Sequence, residues 1–132
     1  MRKICVSDAT LVSQKQNKTP LSFREKIETA RQLDKLGVDV IELPAIEDVN
    51  TDVLLITVAS FVTRGTISVP VALDASDLGT VADALAKAKK SRLRLCVPAS
   101  YVKMEYSCHK KPGKILEIVP ETVKLCREKC DE

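Results

Sequence analysis

Tryptophan is missing from the 132 residues, and Phe23, Phe61, Tyr101 and Tyr106 are the only aromatic side chains. The core must therefore be aliphatic, filled by Val, Leu, Ile and Ala, and the chain lacks the rings that stack unpaired bases. A strong charge of one sign is also missing: 21 basic against 18 acidic residues leave +3, spread along the chain. That is no basic stripe, so a nucleic-acid role is not expected. No apolar run approaches the roughly 20 residues that span a bilayer. Met1, Arg2 and Lys3 lead only into the short run Ile4 to Val6, which is no export signal. Five cysteines, an odd number with no CxxC pair, argue against a secreted disulfide scaffold. The expected setting is a reducing cytoplasm, with no membrane and no nucleic acid as partner.

What is present is an alternation of two periodicities. Ile4-Cys5-Val6 reads as a first strand, followed by a polar connection over residues 7–20, long enough to suggest function. Ser22-Phe23-Arg24-Glu25 has the form of a capping box, and Phe23, Ile27, Ala30 and Leu33 then recur at helical spacing up to Gly37. Val38 to Leu43 is the second strand, and Asp48 to Thr63 the second helix, with Leu54, Leu55, Val58, Phe61 and Val62 as its buried stripe. Ile67 to Leu73 is the third strand, although Pro70 weakens its ladder. Asp74 and Ser76 offer caps for a third helix through Leu78, Val81, Leu85 and Ala88. Leu93 to Val97 is the fourth strand, with Arg92, Arg94 and Cys96 on the face opposite Leu93, Leu95 and Val97. A polar loop over 98–113 precedes a last helix that Pro120 either kinks or starts, with Val119, Val123 and Cys126 or Arg127 sharing a side.

Four βα units in succession predict an α/β fold with a parallel sheet and right-handed crossovers, occupying residues 1–132 as one domain. Two architectures fit. One is half of a TIM barrel, since eight such units take about 250 residues; the other is a small doubly wound sheet. Local patterns are common to both.

In strand–helix proteins chemistry gathers at the C-terminal ends of the strands. Those ends carry Asp8-Ala9-Thr10-Leu11, Glu42, Asp74 and Pro98-Ala99-Ser100. Together with Ala30 to Glu42, which reads Ala-Arg-Gln-Leu-Asp-Lys-Leu-Gly-Val-Asp-Val-Ile-Glu, the first, second and fourth of these ends resemble the opening half of the 2-isopropylmalate synthase and homocitrate synthase family, relatives of hydroxymethylglutaryl-CoA lyase. That family opens with Asp-Thr-Thr-Leu-Arg-Asp-Gly-x-Gln, matched here by Asp8, Thr10, Leu11 and Gln16. It continues with Gly-Val-Asp-x-Ile-Glu on its second strand, and carries a small residue and Ser after its fourth, matched by Ala99 and Ser100. The resemblance implies a TIM-barrel (pyruvate carboxyltransferase) domain that condenses an acyl-CoA with a 2-oxo acid. It also implies a divalent metal (Mg, Mn or Zn) held by an Asp and two His and acting as a Lewis acid. An Arg beside that Asp stabilises enolate charge, and a strand-2 Glu holds the Arg. Glu42 stands at the position of that Glu, as the candidate catalytic residue; Thr10, Gln16 and Ser100 are candidate substrate contacts.

The departures are as informative. Val12, Ser13 and Gln14 occupy the family's Arg-Asp-Gly, and the single His109 matches neither family histidine. No metal ligand is therefore assigned in this chain, Glu42 is left without its arginine, and the isolated chain is expected to be inactive. A degenerate binding or assembly module is the alternative. Elsewhere, Ser100 has no His–acid pair to activate it, and Cys108-His109 supplies two ligands where zinc needs more. Cys126 and Cys130 share a helix face as free thiols, and Cys5 and Cys96 read as small buried strand residues. Arg92 and Arg94 point into a complete barrel or stay exposed without one. A half barrel would leave edges and one face open, so the expectation is a homodimer, a second chain carrying the other half, or a domain trimmed from a longer reading frame, unless the last helix folds over that face.

Overall fold

The computed structural model describes residues 4–12 and 19–130. Its elements alternate as β1 (Ser7–Asp8), α1 (Phe23–Leu36), β2 (Val40–Glu42), α2 (Val49–Phe61), β3 (Thr66–Val71), α3 (Leu78–Leu85), β4 (Ser91–Leu95), α4 (Tyr101–Tyr106) and α5 (Pro112–Arg127). All strand pairs are parallel, in the order β1-β2-β3-β4.

That order decides between the two expected architectures. A doubly wound sheet reverses direction at a switch point, whereas here each crossover adds the next strand on the same side, and parallel crossovers share one hand as a rule. The helices therefore collect on one face, as in a barrel, and the aliphatic core lies there. Ile41, Leu43, Ile67, Val69 and Val71 of the sheet pack with Ala30, Leu33, Leu54, Leu55, Val58, Val81 and Leu85 of the helices.

Local chemistry sets the helix ends. The Ser22 hydroxyl accepts the Glu25 N–H while the Glu25 carboxylate accepts the Ser22 N–H, closing the expected box; Asp48 and Thr51 do the same for α2. Gly37 ends α1 at φ 80°, a left-handed conformation that costs glycine little. One turn earlier Asp34 reaches across to the α2–β3 turn and accepts the N–H groups of Thr63, Arg64 and Gly65. Gly65 fits closely there: a Cβ would sit 3.1 Å from the Val38 carbonyl oxygen, tight enough that the backbone would have to give by a few tenths of an ångström.

Several expectations need correction. β1 pairs through Ser7 and Asp8, not through Ile4 to Val6; the carbonyl of Val6 accepts the N–H groups of Asp39 and Val40, but its own apolar neighbours are exposed. β4 starts at Ser91 and ends at Leu95, two residues earlier than expected. The third helix is capped at Asp77, whose carboxylate instead accepts the Ala72 N–H. Residues 101–106 form a short helix inside the expected loop, with Ser100 as N-cap. The last helix starts at Pro112 and runs through Pro120; the carbonyl of Leu116, deprived of its N–H partner, belongs to an exposed residue and can turn to water. Its buried side is Ile115, Thr122 and Cys126 rather than Val119 and Val123, because the Thr122 hydroxyl donates to the Leu73 carbonyl at 2.8 Å. Cys126 joins the helix-side core, so α5 does not cover the opposite sheet face. Cys5 and Cys96 are exposed, the one before β1 and the other beyond β4, where neither edge strand is covered.

Pro70 has the effect expected of it. The β2–β3 register ends at Glu42↔Ser68, while β3–β4 continues to Val71↔Leu95. Proline has no N–H to give β2, so the two strands part where the sheet reaches its C-terminal end.

Candidate functional site

Side chains alternate across a strand, so Ile41 and Leu43 in the core place Val40 and Glu42 on the helix-free face, and the same parity places Ser68, Pro70, Arg92 and Arg94 there. Glu42 and Arg94 stand on β2 and β4, with β3 between them. Their side chains bridge it: an Arg94 guanidinium nitrogen (NH1) forms an ion pair with Glu42 Oε2. From the other side the Ser7 hydroxyl donates to Glu42 Oε1 at 2.7 Å. Three strands thus converge on one carboxylate at the C-terminal end of the sheet.

The Glu42 carboxylate is accordingly not without an arginine. The expected partner belonged after β1, where Val12 stands; the guanidinium comes instead from β4. The signal was available in the alternation of Arg92 and Arg94 against Leu93 and Leu95, which set Arg94 on the face of Glu42. The pair is partly buried, with side-chain exposures of 30% for Arg94 and 21% for Glu42. Arg94 Nε is shielded and has no hydrogen-bond acceptor among the described residues. A shielded donor left unmade costs about 1–3 kcal/mol, so this guanidinium is under-supplied with acceptors and suits a carboxylate or another anion.

The other candidate residues are engaged locally. Thr10 donates through its N–H and its hydroxyl to the two Asp8 carboxylate oxygens, at 3.0 and 3.2 Å, in the turn that buries Leu11. Ser100 accepts the Lys103 N–H as the cap of α4. Gln16 lies outside the described residues. Asp74 accepts from Ser76, and the hydroxyl and N–H of Ser76 hold its carboxyl below the usual range.

The residues present do not fit the family's divalent metal. Among the described residues no three His, Cys, Asp or Glu side chains come together as ligands, and both oxygens of Asp8 face Thr10. Cys126 is buried and its thiol is pushed up by that burial, then by Cys130 and Asp77; Cys130 donates to the Cys126 carbonyl. No helix among the described residues is long and apolar enough to cross a membrane.

A sequentially ordered parallel sheet, helices on one face only and polar groups at its C-terminal edge define a barrel-type α/β chain. Its sequence matches the HMGL-like family model over residues 3–132, and the chain belongs to that family. It is similar to 2-isopropylmalate synthase of Neisseria meningitidis serogroup A, 32% identical over 133 residues that cover 98% of this chain and 26% of the relative. 2-Isopropylmalate synthase 1 of Caldanaerobacter subterraneus subsp. tengcongensis is 33% identical over 137 residues, all of this chain and 34% of the relative. The 2-isopropylmalate synthase of Halalkalibacterium halodurans is 32% identical, over 94% of this chain and 24% of the relative. The chain therefore spans about a quarter to a third of the length of these curated relatives.

Proposed function

We propose that residues 1–132 form one domain that supplies the first four βα units of a barrel of the 2-isopropylmalate synthase type, in which an acyl-CoA is condensed with a 2-oxo acid. The observation that carries this reading is the Ser7–Glu42–Arg94 constellation on the helix-free face. Glu42 acts there as a positioning residue: it neutralises and aims Arg94, whose remaining donors take the carboxylate of the 2-oxo acid. Thr10 and Ser100, at the same end of the sheet, are further substrate contacts, and by its place in the sequence motif Gln16 is another. No step is assigned to a metal, because the described residues do not gather one. The 132 residues alone are inactive on this reading, and turnover requires the remaining βα units that complete the barrel.

Two measurements test it. The purified chain is incubated with acetyl-CoA and a panel of 2-oxo acids, and condensation products are sought by mass spectrometry, since its own cysteines react with thiol reagents. No product is expected; turnover by the chain alone refutes the half-site reading. Calorimetry with the 2-oxo acids should show weak saturable binding that Arg94→Met abolishes. Binding that survives the substitution removes Arg94 from the site.

A further inference from the structure

The starts of the strands carry a second polar constellation, and none of Ser7, Glu42 and Arg94 belongs to it. A cavity of about 410 Å³ lies at the N-terminal ends of β2, β3 and β4, within the size range of small-ligand sites. Val40 and Thr66, the first residues of β2 and β3, and Arg92, the second of β4, line it from the helix-free face. Arg64 enters from the α2–β3 turn and Lys90 from the α3–β4 turn, and both are exposed. Asp39 is the one acid among the described residues of the lining, so three cations against it leave a net charge of +2. Its Oδ2 already accepts the Val6 N–H at 2.8 Å. These cations are collected by the fold, not by the sequence. The Asp34 carboxylate holds the Arg64 N–H at 2.9 Å, and the Lys90 carbonyl accepts the Ile67 N–H at 3.0 Å. Arg92 stands opposite Ser68 in the β3–β4 register. The three backbones cannot drift apart, so the like charges repel while they wait for a counter-charge.

We infer that this cavity binds a doubly charged oxyanion, inorganic phosphate or the phosphoryl group of a small monoester. A guanidinium fork meets two phosphate oxygens at once, and an ammonium adds a point charge. The +2 of the lining balances the charge of such a group near neutral pH. Arg92 is already engaged; Arg64 and Lys90 are the groups that an arriving anion meets from solvent. Arg94 is two residues further along β4, about 7 Å at a strand's rise, and points its charge at Glu42. The two sites therefore share a sheet face but not a ligand, and this one stands independently of the condensing-type reading. Chemistry in strand–helix folds gathers at the opposite, C-terminal ends, so the anion has a different effect here. Its cations come together only when β3 and β4 pair, so it binds the folded chain alone and stabilises it by mass action.

Calorimetry and thermal unfolding of the 132-residue chain test this, with sodium phosphate, glycerol 3-phosphate, and sodium chloride at matched ionic strength. Phosphate should bind saturably, one per chain, and raise the unfolding temperature, whereas chloride should do neither. Tighter binding of glycerol 3-phosphate identifies a monoester site, and equal or weaker binding identifies phosphate itself as the ligand; both uphold the inference. The double variant Arg64→Gln/Lys90→Gln should weaken phosphate binding about tenfold or more, as the loss of two charge-assisted contacts implies. Lys90→Arg should retain it, and Arg94→Met should leave it unchanged. Equal binding by the double variant overturns the inference, as does chloride matching phosphate. Loss of phosphate binding in Arg94→Met also overturns it, and leaves the proposed function standing. Conversely, a chain that binds phosphate but no 2-oxo acid keeps this site and loses that function. Both substituted side chains are exposed. Without phosphate the double variant should unfold no lower than the wild type, since repulsion has been removed, and that result confirms an intact fold.

Discussion

Removing the Asp34 side chain should destabilise the chain by about 1–2 kcal/mol, a value that follows from where its hydrogen bonds fall. The carboxylate accepts the Arg64 N–H at 2.9 Å, those of Thr63 and Gly65 at 3.2 Å, and the Thr63 hydroxyl at 3.2 Å. Bonds to a charged acceptor contribute about 1.5–3 kcal/mol each when shielded. Thr63 and Arg64 are exposed, so water replaces most of what they lose, and solvent screens the carboxylate itself. Gly65 is buried, and its N–H has no such recourse. Burial acts to raise the Asp34 carboxyl, but the backbone N–H groups of Arg64, Thr63 and Gly65 and the Thr63 hydroxyl outweigh it and hold it below the usual range. The contribution is therefore complete above the unfolded value near about pH 4 and disappears as pH falls through the folded one. Urea unfolding of the wild type, Asp34→Ala and Asp34→Asn at pH 7 and at pH 3 reads this out. At pH 7 the alanine variant should lose the stated amount with an unchanged m-value, the asparagine variant about half of it, and the gap should narrow at pH 3. A loss below a few tenths of a kcal/mol at pH 7, or a gap that widens in acid, refutes the reasoning.

Three further outcomes are expected. In a double-mutant cycle on urea stability, Glu42→Gln and Arg94→Met should couple by about 1 kcal/mol, the upper end for exposed pairs, because both groups are partly shielded; additive effects would place the two apart in solution. Thr122→Val should cost about 1–2 kcal/mol in thermal or urea unfolding, since the Leu73 carbonyl loses its donor. With a thiol reagent at pH 8, Cys5 and Cys96 should react fast and Cys126 at least tenfold more slowly, because Cys5 and Cys96 are exposed while Cys126 is buried and its thiol is pushed up by that burial; peptide mapping at early times distinguishes them.

The helix starts at Ser22 and Asp48 and the stop at Gly37 were legible because each depends on neighbours within four residues. The choice between half barrel and doubly wound sheet was not, since both use the same βα unit and differ only in which strand lies beside which. β1 was misplaced because its apolar letters, Ile4 and Val6, lie at an uncovered edge, while the paired residues are polar. α4 escaped notice for a related reason: a helix that buries nothing leaves no periodic stripe. For the candidate site, Glu42 was legible from its place at a strand end, but its partner was sought in the neighbouring loop. Arg94 is 52 residues away, and only the register of three strands brings the two together.

The uncovered sheet face has an energetic consequence of its own. While it is wet, attraction between opposite charges is weakened by the surrounding water, and the Glu42–Arg94 link is modest. Whatever molecule lies down on that face expels the water, and the same two charges then attract in a medium of much lower dielectric. Arg94 Nε is already dry and without an acceptor among the described residues, so a newcomer that brings one relieves a standing cost, which favours it over a molecule that does not.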